Sequence, residues 1–95
     1  MLSFLPKTPI EVMNDIKERC KARRKALKYT QQELASRSGV SLGSLKRFEQ
    51  SGEISLNSLL RIAFVLECLE DFERVCKKKE VEKFRSIEEI VGEGK

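Results

Sequence analysis

Between residues 30 and 52, TQQELASRSGVSLGSLKRFEQSG, two helix starts and one helix stop lie so close together that the chain must reverse between two short helices. Thr30 and Glu33 form a capping box: each side chain satisfies a backbone N–H of the other residue and so fixes a helix start. Leu34 and Ala35 give this helix one apolar face, while Gln31, Gln32, Glu33, Ser36 and Arg37 keep the rest polar. Gly39 then supplies the left-handed conformation that ends helices without a Cβ penalty. Ser41 is a second N-cap, its hydroxyl placed to accept from an amide one turn on. Leu45 and Phe48 stand three apart on one face of the next helix, and Val40 joins them in the core.

Ser41, Leu42, Gly43, Ser44, Lys46, Arg47 and Gln50 remain as outward-facing groups: short hydroxyls, a backbone left bare at Gly43, and long cations. A DNA major groove accommodates a helix of this kind and offers base edges to such side chains. The same spacing also fits a plain αα-hairpin that binds nothing. Gly39-Val40-Ser41-Leu42-Gly43 matches the G-x-S-x-G nucleophile elbow, but that elbow needs a strand before the serine and a base beside it. The preceding segment reads as helix and the chain contains no His, so the match is chance.

The run from Arg24 to Leu66 resembles the lambda-repressor-like, Xre-type helix-turn-helix family, through Thr30-Gln31-Gln32-Glu33-Leu34-Ala35, Gly39-Val40-Ser41 and Phe48-Glu49. Within it, Arg37-Ser38-Gly39-Val40-Ser41-Leu42, Leu45-Lys46-Arg47-Phe48-Glu49 and Gly52-Glu53-Ile54-Ser55-Leu56 look most like the HipB-like antitoxins and regulators that accompany HipA-like kinases. The resemblance implies an all-α, five-helix DNA-binding domain with a short C-terminal tail. It also implies that Gln31, with Thr30 and Gln32 beside it, meets a phosphate at a helix N-terminus, where an anion is favoured. Ser41, Leu42, Gly43, Ser44, Lys46 and Arg47 would face base edges, and Arg47 could pair bidentately with a guanine. Family members often carry amides where this chain has Leu42 and Gly43, so selectivity there would come from thymine methyls or DNA shape. In this family the segment around Ser55, Leu56 and Asn57 approaches the DNA backbone, giving Ser55 and Asn57 as further phosphate contacts. Arg24 and Glu49 match a buried ion pair of the family. Independently, Met13, Ile16, Cys20, Arg24 and Leu27 keep a three-and-four spacing that sets Arg24 on an apolar stripe, where a charge needs either a partner or a phosphate.

Charge distribution points the same way. Residues 1–66 hold 12 Lys and Arg against 6 Asp and Glu, whereas residues 67–95 hold 7 against 9, so the chain's net +4 comes from the first part. Lys17, Arg19, Lys21, Arg23, Arg24, Lys25 and Lys28 concentrate in one helix and the loop after it, with Lys25 and Lys28 nearest the motif as candidate phosphate contacts. A basic helix can equally be a solvated surface. The three cysteines, 20, 68 and 76, have no C-x-x-C spacing and read as small buried thiols, with a redox role at Cys68 or Cys76 left open. A zinc site would lack ligands of the usual kind, and no cofactor, metal or catalytic constellation emerges. No run of some 18 apolar residues exists, and MLSFLPKTP has too short an apolar patch for a signal peptide, so the chain reads as cytoplasmic, without membrane contact.

Ninety-five residues suffice for a single core. After an N-terminal arm at 1–8, Thr8-Pro9-Ile10-Glu11 predicts a capping box opening a helix over 9–27. Ser55 caps a central core helix carrying Leu56, Leu59, Leu60, Ile62, Ala63 and Leu66, and Leu69, Phe72, Val75 and Cys76 make a fifth amphipathic helix. The DNA-binding domain thus spans 9–78, with its helix-turn-helix at 30–51. A tail at 79–95 carries a capping box, Ser86 with Glu89, and apolar Phe84, Ile87, Ile90 and Val91 for contact with the domain, a second subunit or a partner. The expected function is a sequence-specific regulator: a homodimeric repressor on double-stranded DNA with a palindromic operator. The HipB-like resemblance adds an autoregulating antitoxin paired with a HipA-like kinase toxin. The alternative is a protein interaction module, binding DNA weakly and without sequence preference.

Overall fold

Side-chain caps start the first four helices of the computed structural model, which describes residues 7–78. Thr8 accepts from the Glu11 amide while Glu11 accepts from the Thr8 amide, and Pro9 sits at the first helical position, opening α1 over Pro9–Ala26. Thr30 and Glu33 repeat the device for α2, Gln31–Ser38, and Ser41 and Ser55 cap α3, Leu42–Ser51, and α4, Leu56–Val65. A shorter α5, Leu69–Glu73, comes last and has no side-chain cap. The described residues are all-helical, the architecture of a small lambda-repressor-like fold.

Helix ends are equally explicit. Gly39 (φ 75°) and Gly52 (φ 84°) close α2 and α3 in the left-handed region, each donating its amide back into the last turn. Arg23 closes α4 from outside it: its guanidinium donates to the carbonyls of Leu66 and Glu67, placing a cation at the negative end of that helix and tying α1 to the α4–α5 turn. Arg37 lies over the Tyr29 ring at 5.0 Å and joins α2 to the loop before it.

The apolar spacings converge on one core. Phe48, Leu34, Leu45, Ile62 and Leu66 are all less than 2% exposed, with Cys20, Ala35 and Val40 around them and Ile16, Leu27, Leu59 and Val65 packed at the edge. Burial of each large member contributes about 1.5–3 kcal/mol. Packing of α2 on α4, α1 on α3 and α2 on α3 makes this core and fixes the angle between α2 and α3.

Three expectations are corrected. Leu56 does not enter the core but is 67% exposed, because it is the first residue of α4 and stands at the edge of an open cleft with Met13, Phe48 and Leu59 rather than under another helix. The fifth helix stops at Glu73, so Val75 and Cys76 lie in the turn after it, both exposed, with Cys76 at φ 66°. Of the thiols, only Cys20 is buried and Cys68 is half-buried. The readings placed on residues 1–6 of the N-terminal arm and on the tail from residue 79 lie outside the described residues.

Candidate nucleic-acid interface

Glu49, on the inner side of α3, organises the site from beneath. Its Oε2 accepts from Arg24 Nε at 2.7 Å, and its Oε1 accepts from Arg24 Nη2 at 3.1 Å and from Gln31 Nε2 at 2.9 Å. Arg24 Nη1 donates to the Tyr29 carbonyl at 2.9 Å. Arg24 and Glu49 are 8% and 5% exposed, so the pair joins α1 to α3 in low dielectric, where charge-assisted bonds are strong and an unpaired charge is costly. Arg24 is thereby unavailable as a phosphate contact, the open alternative at that position. Gln31 is held too: its side-chain amide points inward to Glu49, leaving the start of α2 to present backbone N–H groups and exposed Thr30 and Gln32.

Above this floor, α3 turns Ser41, Gly43, Ser44, Lys46, Arg47 and Gln50 to solvent. Leu42 departs from the outward-facing set: it is half-buried and packs on the core, since it stands three residues before Leu45 and seven before Glu49, on the face of α3 that those two bury. Ser41 is engaged as a cap, its Oγ accepting from the Ser44 amide at 3.1 Å. Arg47 donates through Nη2 to Glu53 Oε1 at 3.0 Å, with side chains 71% and 58% exposed. An exposed pair of this kind is worth about 0–1 kcal/mol, so the guanidinium exchanges partners at little cost. Beside it, Ser44, Arg47, Glu53, Ile54, Ser55 and Ser58 line a shallow cleft between α3 and the start of α4. There Ser55 caps the helix and Asn57 is exposed, so the positive end of α4 opens beside α3.

Cations flank the two helix starts unevenly. Lys25 and Lys28 are exposed at the end of α1 and in the loop leading to α2. The basic cluster of α1 does not face outward as a whole: Lys17 donates to the Gln50 carbonyl at 3.2 Å, Arg23 caps α4 and Arg24 is buried. Lys7 is paired with Asp15, whose carboxyl it holds below the usual range.

Sequence reasoning missed the Glu49–Gln31 bond, the Arg47–Glu53 pair and the Arg23 cap. The first and last join residues 18 and 43 positions apart and leave no local periodicity. The Arg47–Glu53 pair spans the Gly52 turn, off any helical spacing. Burial pushes the Cys20 thiol up to about 11 and raises that of Cys68, so neither is an activated nucleophile at neutral pH. Among the described residues no group of three or more His, Cys, Asp or Glu could hold a metal ion, and no helix is long and apolar enough to cross a membrane.

Gly43 offers a direct probe of the exposed face. A Cβ built there meets nothing within 4 Å, so Gly43→Ala should stabilise the fold by about 0.5 kcal/mol through helix propensity, read as a raised urea midpoint at unchanged slope. A lower midpoint would mean that α3 needs a backbone that alanine cannot adopt.

A family model described as helix-turn-helix matches residues 21–71, just over half of the chain, and spans the last third of α1 through most of α5. No curated protein and no solved structure matches the chain.

Proposed function

Since the chain belongs to the helix-turn-helix family of DNA-binding transcription regulators, we propose that it acts as a repressor, binding a palindromic operator as a homodimer through α3. The observation that carries this reading is the combination on one face of an exposed polar and cationic helix and two adjacent helix N-termini. The Arg24–Glu49–Gln31 cluster holds that face rigid from below. In this reading residues 9–78 are the DNA-binding unit, with the reading motif at 30–51. Ser41, Gly43, Ser44, Lys46 and Arg47 face base edges, with Leu42 at the margin through whatever part of it stays exposed. Thr30, Gln32, Lys25, Lys28, Ser55 and Asn57 meet phosphates, and Gln31 contributes through its backbone amide while its side chain holds Glu49. Two reading helices about 34 Å apart enter successive major grooves on one side of the duplex, and occupancy of a promoter blocks transcription. The resemblance of Leu45-Lys46-Arg47-Phe48-Glu49 and Gly52-Glu53-Ile54-Ser55-Leu56 to HipB-like sequences motivates a further proposed role, the autoregulating antitoxin of a HipA-like kinase.

Selection of host genomic DNA fragments by the protein, at stepwise rising salt, tests the reading. Recovery of one palindromic site beyond the salt that releases bulk DNA is expected. Uniform release of all fragments at modest salt would leave only counterion-driven binding and reject a specific operator.

A further inference from the structure

Between α1 and α5 lies a mainly apolar groove of about 690 Å³ lined by Ile16, Cys20, Ala22, Ala26, Cys68, Phe72 and Val75, with Arg23 and Asp71 also on its walls. Its floor is made of small side chains, which lets another element approach closely, and Arg19 stands exposed at its rim. The described chain leaves this same place: Lys78 is three residues beyond Val75. From Lys78, the six steps to Phe84 reach about 20 Å in extended chain, enough to return along the groove. The segment thus delivered is Phe84-Arg85-Ser86-Ile87-Glu88-Glu89-Ile90-Val91, in which Phe84, Ile87, Ile90 and Val91 recur at helical spacing, Glu88 and Glu89 offer carboxylates to Arg19, and Arg85 offers a cation to Asp71.

We propose that residues 84–91 fold back on their own domain and fill the α1–α5 groove, Ile87 and Ile90 seated over Cys20 and Cys68. The inference is independent of DNA reading, because the groove shares no residue with the exposed face of α3. Docking completes α5, which is short, uncapped and without a buried residue among those described. It also removes Phe72 and Val75 from water.

Cys68 reports on occupancy. Its alkylation by iodoacetamide is tracked residue by residue by mass spectrometry in the full chain and in the full chain carrying Ile87→Asp and Ile90→Asp, with Cys76, which lines no part of the groove, normalising each sample. Cys68 should react about tenfold more slowly in the native chain than in the variant, as for an equilibrium with about nine-tenths of molecules closed. Added carboxylates near a thiol disfavour the thiolate and slow alkylation, so faster reaction in the variant arises only from uncovering. Equal rates in the two chains overturn the proposal. Protection that grows with protein concentration also overturns it, assigning the groove to a second copy instead. Ala22→Asp, at an exposed position on the groove wall, provides a second arm: it should release Cys68 with the tail sequence intact, at unchanged helical circular dichroism.

Discussion

Glu49→Ala should lower the unfolding free energy by about 3–5 kcal/mol, the largest effect expected from any single polar side chain in this fold. The substitution removes no large apolar volume, yet it strips Arg24 of two hydrogen bonds at 2.7 and 3.1 Å and Gln31 of one at 2.9 Å. Arg24, 8% exposed, then carries an unpaired charge, keeping only its bond to the Tyr29 carbonyl. Urea unfolding monitored by circular dichroism reads the loss as a fall in midpoint at constant slope. Arg24→Met with Glu49→Leu should recover most of it, since removing both charges also removes the desolvation cost of the pair. If Glu49→Ala costs less than about 1 kcal/mol, the pair is reached by water and does not set the angle between α1 and α3.

Arg47→Ala should weaken binding to the selected operator by about 1–3 kcal/mol while leaving affinity for random DNA of equal length nearly unchanged. Stability should move little, because the pair with Glu53 is exposed on both sides. Glu53→Gln supplies the opposite sign: it frees the guanidinium and removes a carboxylate from beside the phosphates, so operator affinity should rise. Fluorescence anisotropy at one fixed salt measures all three proteins. Parallel loss on operator and random DNA with Arg47→Ala would demote Arg47 to a phosphate contact and move base reading to Ser44 and Lys46.

The helices of this domain are legible because their signals are local. Thr8–Glu11 and Thr30–Glu33 each place both partners of a capping box within one turn, and Gly39 marks a stop that only a residue without a Cβ enters easily. The burial of Leu34, Leu45, Phe48 and Ile62 comes from spacing of three and four. Spacing says which residues share a face, though, and not how far along a helix its neighbours extend. For that reason it puts Leu56 in the core when Leu56, at the first position of α4, stands at an open cleft edge, and carries α5 through Val75 and Cys76 when the helix has already ended. Leu42 is the opposite case: it stands three residues before Leu45 and seven before Glu49, so the spacing itself sets it on the buried face of α3, where it is half-buried against the core.

The chain's own order of residues determined that two short helices reverse at Gly39, that α3 carries short hydroxyls and long cations outward, and that Arg24 sits on an apolar stripe where its charge needs a partner. These are consequences of backbone sterics and amphipathic period, both decided within a few residues. The tertiary structure alone decided which cations remain available. Lys17, Arg23 and Arg24 are spent on Gln50, on the end of α4 and on Glu49, leaving Lys25 and Lys28 exposed between α1 and α2 and Lys46 and Arg47 exposed on α3. A long flexible side chain takes whichever acceptor folding brings within about 3 Å, and acceptors 25 to 43 residues away are placed by helix packing rather than by sequence neighbours.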